Sequence, residues 1–499
     1  MSAQGVVVLA ADDDVGVAIR ALSPGDAVAP GVVAAEPIPA GHKVALKPIA
    51  GGATVVKYAQ PIGEALADIA PGAHVHTDEI GFTPGSERRV VATTARPLPE
   101  PGPATFLGHR RADGRVGTRN YIGIVASVNC SVTVVRRIAE EANRLLLPNH
   151  PGIDGFVPIV HGQGCGMATG GEGAAILRRT LAGYLGHPNF AATLLIGLGC
   201  EVNQIALYAK VGKDARITAF DIQDVGGSRS AVTKALAVLE PMAAAASKLT
   251  RVEVPASELV VGLQCGGSDG FSGITANPAL GAAMDRLVAA GGTAILSETP
   301  EIYGAEHLLT ARAEPAIAAK LTERLDWWRD YVAATGASLD NNPSPGNKRG
   351  GLTTILEKSL GAVAKGGRSP LVDVVRYAEK VTAHGLVFMD TPGYDPVSAT
   401  GQVAGGANVV VFTTGRGSCF GCRPTPSIKV ASNSDLARRM AEDIDLDAGR
   451  ILTGEVTVDA VGAEIFARVL AVASGGRTKS EVFGYGDDEF VPWHIGAVL

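Results

Sequence analysis

What the chain has little of narrows it first. Aromatic residues make up 5% and charged residues 19%, the formal net charge is −6, and no Lys/Arg run is interleaved with aromatics. This excludes a nucleic-acid binder, whose electrostatic footprint is a basic patch or stripe. A small anionic ligand stays open, because it needs only local positive charge. No apolar run approaches the length of a membrane span, and the start, MSAQGVVVLAADDD, has no basic n-region and is cut short by three aspartates. A cytoplasmic protein without membrane or nucleic-acid partners is expected. Six cysteines in 499 residues are too few for a disulfide scaffold and read as reduced thiols. Nucleotide signatures are missing too: there is no GxxxxGK[ST], and no GxGxxG follows the first strand of a βαβ unit.

The chain does have length, 46% hydrophobic residues and 63 glycines, which together describe a folded protein of two or three domains. In residues 1–95 the segments ALSPGDAV, PIPAGHKVAL, PIAGGATVVKY and DIAPGAHVHT share one cadence, a turn element, a glycine and a strand-like run. That cadence predicts a small all-β module. The stretch ARPLPEPGPAT then marks a linker over 96–107. Beyond it, β-branched runs alternate with glycine turns and amphipathic helices (YIGIVASV, GFVPIV, TLLIGLGCE, ELVVGLQCGG, NVVVFTTGRG), the pattern of parallel sheets buried on both faces. The expected fold is therefore α/β: the β module, a middle α/β domain over 108–250 and a C-terminal α/β domain over 251–499.

Candidate site residues lie in the turns. Cys130, Cys165, Cys200, Cys265 and Cys419 each follow a strand-like run in a glycine-rich turn, and ligands of open α/β sheets bind outside the carboxyl ends of strands. Any one of them fits equally as a small residue filling a crowded turn. As a set they point to metal ligands or site lining. In CFGC (Cys419, Cys422) the following RPTPS is no helix, which argues against a thioredoxin-like pair, and no second CxxC exists for a structural zinc. His74 and His76 alternate along a strand, so both rings share a face. With Asp78 and Glu79 beside them they form a half-site for Fe(II) or Mn(II). The same module supplies His42 and Lys43, the latter suited to an anionic substrate. His161 opens HGQGCG at a strand end, where a general base would stand. Basic turns holding Arg115 and Arg119, Lys348 and Arg349, and Arg416 suit carboxylates. In LQCGGSDGFSG, Cys265, Ser268 and Asp269 would line the pocket.

GRVGTRNYIGI, LGCEVNQ, LQCGGSDGFSGITANPALG, ILSETPEIYGAEHLL, NNPSPGNKRGGLTTILEKSLGAVAKGG and FMDTPGYDPVSATGQVAGGAN together resemble the altronate dehydratase / galactarate dehydratase family, closer to its altronate branch. The AGHKVAL…VHT segment is similar to that family's SAF-type module, with Asp78 where a histidine is common. The resemblance implies a divalent metal, ferrous iron first and manganese second, and elimination of water from a sugar acid, D-altronate to 2-keto-3-deoxy-D-gluconate. It leaves homo-oligomerisation open. On this reading His74, His76, Cys165, Cys200 and Cys265 are metal ligands, and His42, Lys43 and His161 are catalytic. Arg115, Arg119, Ser268, Asp269, Lys348 and Arg416 bind substrate. The alternatives are another aldonate or aldarate dehydratase such as galactarate's, a lyase expelling a sulfonate from a 2-hydroxy acid, an iron–sulfur hydro-lyase, and a non-catalytic carbohydrate binder.

Overall fold

A computed structural model describes residues 5–82, 102–208, 216–496 and 498. The N-terminal unit is all β. Each of SPGD, PAGH, AGGA and APGA holds one glycine at positive φ (Gly25 90°, Gly41 84°, Gly52 79°, Gly72 81°), a region closed to most side chains. Two residues after each, a short strand begins: Ala27–Ala29, Lys43–Ala45, Thr54–Lys57 and His74–Val75. Val6–Val7, Val15–Ala18, Lys43–Ala45 and His74–Val75 make one antiparallel sheet, and Thr54–Lys57, Gln60–Ala65 and Ile80–Gly81 another. The unit is not packed on itself alone. Val15, Ile49, Val55, Ile62, Val75 and Ile80 lie in one apolar cluster with Ile302, Ile355 and Leu360 of the C-terminal domain.

Half of the proline-rich linker expected over 96–107, residues 96–101, lies outside the described residues. Strand starts earlier than that expectation allows, at Thr105, because Thr105–Arg110 pairs antiparallel with Val252–Pro255. These two strands enter and leave the middle domain, so the crossing is zipped rather than loose.

Both larger domains have parallel sheets buried on both faces. In the middle domain the order is Gly155–Ile159, Tyr121–Ala126, Phe190–Gly197, Ile217–Asp221. The C-terminal sheet runs Leu371–Val375, Gly385–Met389, Thr293–Ser297, Val260–Cys265, Val409–Thr414, Ser427–Ala431, Leu446–Asp447, with every pairing parallel. In each sheet the first strand lies inside the sheet, and the chain builds strands on one side of it before crossing to the other. That creates a switch point, where loops leave neighbouring strands in opposite directions and a crevice opens. It falls between Tyr121–Ala126 and Phe190–Gly197 in the middle domain, and between Val260–Cys265 and Val409–Thr414 in the C-terminal one. Among the described residues no helix is long and apolar enough to cross a membrane.

Candidate active site

LQCGGSDGFSG leaves the sheet at the C-terminal switch point, and three loops meet on it. The Gly415 and Arg416 amides both donate to the Gly267 carbonyl (3.1 and 2.8 Å), and the Gly270 amide donates to the Gly350 carbonyl (2.8 Å). Asp269 ties the loops together. Its carboxylate accepts from the Phe271 and Ser272 amides, the Ser272 and Ser432 hydroxyls and the Asn433 side-chain amide, all at 2.8–3.1 Å. Those five donors commit it to holding the loops, a different use from the sugar contact expected of it. Ser268 is buried, and its carbonyl accepts from Asn347 (2.8 Å). The glycines are explained by what presses on them. A Cβ on Gly270 would stand 1.9 Å from the Gly41 carbonyl, and one on Gly351 2.2 Å from it. The β module thus lays its backbone directly on the switch-point loop. Gly270→Ala should lower Tm, since overpacking of this kind costs about 1–3 kcal/mol; a thermal melt beside the parent checks it.

The module brings a histidine cluster to this junction. Lys43 pairs with Val75 and Val44 with His74 across the sheet, so His42 falls opposite His76 and shares a face with His74 and His76. One ligand nitrogen from each of the three lies within 4.8 Å of the others. The rings are 4.7–5.5 Å apart, His42 Nδ1 is 2.9 Å from His74 Nε2, and His42 Nε2 is 3.2 Å from the Arg349 carbonyl. Burial lowers the pKa of all three, and that of His76 falls to about 4. Neutral rings carry free lone pairs, as a metal requires. His76 Nδ1 is buried without a partner. Three neutral imidazoles with an orphaned nitrogen fit a divalent ion. The third imidazole of the cluster is that of His42, across the sheet; Asp78 is exposed and Glu79 caps the His76 amide (2.8 Å). Lys43 is fully buried between Glu357 (2.8 Å) and the Gly351 carbonyl (2.7 Å), and Lys57 meets the other Glu357 oxygen (2.7 Å). It fixes the module to the domain and offers an anion no free face.

Beneath the same crest is a second, buried cluster. Cys265, Glu298 and Glu301 bring ligand atoms within 4.8 Å of one another. Two ammonium groups already occupy that space: Lys365 Nζ lies 2.9 Å from Cys265 Sγ and 3.3 Å from Glu298, and Lys358 pairs with Glu301. A cation would have to displace them, so the metal role expected of Cys265 does not suit its surroundings. Burial pushes its thiol up to about 11. The carboxyls diverge. Burial, then the neighbouring Glu301, drives Glu298 well above the usual carboxylate range; burial also raises Glu301, but Lys358 and Lys365 outweigh it and hold it below that range. Asp395, raised to about 6 by burial and by Glu301, begins the helix Asp395–Ala404 and has one oxygen without a partner. A Cβ on Gly266 would lie 2.4 Å from its other oxygen. Glu298 itself stands at φ 75°, a left-handed conformation unusual for a side-chain-bearing residue and concentrated at functional sites.

The remaining expected residues fall elsewhere or turn to structural use. Arg119 spends its guanidinium on Glu481 (2.6 and 2.7 Å) and the Val472, Gly476 and Thr118 carbonyls, clamping two domains rather than a substrate. Arg115 pairs with Asp113 and lines a cavity of about 770 Å³ that also touches Val260 and Thr293, at the opposite end of the sheet. His161 is buried, with Nε2 3.0 Å from the Ala126 carbonyl and Nδ1 accepting from the Gln163 amide. That leaves its ring no proton to trade with a substrate. Cys165 and Cys200 are exposed in the middle domain and join neither cluster. Arg416 stays at the switch point, and Lys348 adjoins Arg349, whose carbonyl faces His42.

Three family models cover the chain: the altronate/galactarate dehydratase SAF domain over residues 4–82, the D-galactarate dehydratase/altronate hydrolase second domain over 108–247, and the D-galactarate/altronate dehydratase C-terminal domain over 256–498. The chain belongs to the altronate/galactarate dehydratase family. It is 39% identical to the galactarate dehydratase (L-threo-forming) of Escherichia coli over 464 residues (90% of this chain, 88% of that protein). To the altronate dehydratase of the same organism it is 36% identical over 485 residues (94% and 95%). The (2R)-sulfolactate sulfo-lyase subunit beta of Chromohalobacter salexigens is 32% identical over 389 residues (76% and 95%). Membership accounts for the domain series; identity by itself does not rank the altronate relative above the galactarate one.

Proposed function

We propose that this chain is a metal-assisted sugar-acid dehydratase acting on D-altronate. One observation carries the reading: a histidine triad held neutral by burial, a poised carboxyl and a carboxyl raised well above the usual range gather around one glycine-rich switch-point loop. His42, His74 and His76 would hold the divalent ion, Fe(II) before Mn(II). When bound, it supplies Lewis-acid polarisation of the substrate carboxylate and hydroxyl. Asp395 removes the proton beside the carboxylate, and its pKa of about 6 leaves it ionised at neutral pH. The C–H electron pair becomes the new C=C bond, and the hydroxyl on the next carbon departs with the Glu298 proton as water. The enol then tautomerises to a 2-keto-3-deoxy acid. Arg416 and Lys348, cations on two of the three converging loops, meet the carboxylate.

Because these cations stand on loops that converge, they would act as a single clamp, which suits a monocarboxylate such as D-altronate. The second reading is galactarate, favoured by the 39% identity to a galactarate dehydratase. A panel of aldonates, aldarates and sulfolactate, assayed for 2-keto-3-deoxy product or sulfite, separates them. D-altronate should give the highest kcat/KM, chelation should abolish turnover, and Fe(II) should restore it more fully than Mn(II). Full turnover in metal-stripped protein would sink the metal role, and a tenfold preference for galactarate would reverse the substrate.

A further inference from the structure

That reading uses none of the thiols, and three of them share one place. Cys130, Cys165 and Cys200 are all exposed and unpaired. They follow three adjacent strands of the middle sheet, at its switch point. Ala126 pairs with Ile196, and Cys130 and Cys200 each stand four residues beyond that pair. Val125 pairs with Ile159, and Cys165 stands six beyond Ile159. The three thiols therefore sit on neighbouring loops at the carboxyl end of one sheet. Their loops are bonded at residues next to the thiols: Asn129 N donates to Gln163 O (2.9 Å), Asn203 N to Gly164 O (2.9 Å) and Ser127 Oγ to Glu201 (2.6 Å). Gly164 and Gly199 take positive φ (103° and 124°), turning the chain tightly just before Cys165 and Cys200.

What could three such thiolates hold? They are soft ligands, which select zinc, copper(I) or iron–sulfur clusters. A single zinc holds thiolates at about 2.3 Å, so two sulfurs on one ion stand no more than about 4.6 Å apart. These three sulfurs do not all lie within 4.8 Å of one another. A cluster gives each thiolate its own iron and so takes thiolates set further apart than a single ion allows. The fourth loop of this sheet, residues 222–227, contains no cysteine, so one iron would lack a protein thiolate. We propose that Cys130, Cys165 and Cys200 bind a [4Fe–4S] cluster whose fourth iron is open to solvent or to a small oxygen-donor ligand.

Full-length protein, handled without oxygen and reconstituted with ferrous iron and sulfide, provides the test. About four acid-labile sulfides and five irons per chain are expected, four irons in the cluster and one at the histidine triad, with broad visible sulfur-to-iron absorption. Cys130→Ser, Cys165→Ser and Cys200→Ser should each lose sulfide and absorption, whereas Cys419→Ser and His76→Ala should keep both. Iron without acid-labile sulfide in the parent protein overturns the proposal, as does retention of the absorption by all three serine variants. The parent count decides even where a variant fails to fold. An intact cluster in protein with no dehydratase turnover would count against the preceding reading and not against this one.

Discussion

Glu357→Gln should be among the most damaging single changes in this chain outside the reacting groups. One carboxylate, with its side chain fully buried, sits between two ammonium groups that are equally buried, Lys43 at 2.8 Å and Lys57 at 2.7 Å. Burial alone would raise the Glu357 carboxyl, but the two cations hold it well below the usual carboxylate range. A depressed acid contributes stability that is fully present above its unfolded pKa, 4.5, and is lost as pH falls below that value. Without the carboxylate both lysines are buried unpaired, and breaking a buried pair costs about 3–5 kcal/mol. The module should then loosen from the C-terminal domain. The variant's pH dependence gives a second signature. Lys43 already sits at about 8 under burial, and once the carboxylate is replaced by a neutral amide both lysines titrate below their unfolded value of 10.5. The penalty is largest at neutral pH and shrinks as pH rises toward that value. Denaturant unfolding at about pH 7 and about pH 9.5 brackets this range and measures it. A constant difference between the two would show that the charges are not the cause, and a Lys43→Met, Lys57→Met, Glu357→Leu triple variant should recover much of the loss.

The texture of the chain made the domain plan legible, since period and punctuation are local properties. The cadence of Gly25, Gly41, Gly52 and Gly72 specified the β module one turn at a time. The shared face of His74 and His76 was equally readable, because alternation along a strand is local too. The third ring of their cluster, His42, was visible as a residue but not as their neighbour, for it arrives through cross-strand register. The buried cluster was the hardest to see. Glu298 and Glu301 in SETPE look like ordinary loop acids, and Glu357 and Lys358 look like a solvated pair on a helix. Yet every residue of Ile355–Val363 is buried, so its adjacent charges point into two different networks, Glu357 to the module and Lys358 to Glu301. The seven-residue spacing of Lys358 and Lys365, two helical turns, was a signal that both face one cluster. Conversely, Arg119 in a basic turn reads like a carboxylate clamp. Only the folded chain reveals that Glu481, more than 350 residues on, meets it first.

Asp395→Asn should abolish most turnover while leaving the fold intact. The side chain is the proposed base, and a positioned base contributes about 10²–10⁴-fold, so a loss in kcat of that order is expected with little change in KM. The amide is close in size, and the existing carboxyl leaves one oxygen without a partner, so no hydrogen bond to that atom is broken and Tm should hold. The pH profile separates a base from a merely structural carboxyl. In the parent enzyme kcat/KM should fall below about pH 6, where burial and Glu301 place the Asp395 titration. The sign follows from the charge: protonation removes the lone pair that takes the substrate proton, so activity is lost on the acid side. Glu298, raised well above the usual carboxylate range by burial beside Glu301, should bound the profile on the alkaline side. In Asp395→Asn the acid limb should vanish from whatever activity remains. A limb that persists near pH 6 would assign it to another group and remove Asp395 as the base. Two carboxyls held apart in pKa, one ionised and one protonated at the same pH, are what proton abstraction and hydroxyl departure in one site require.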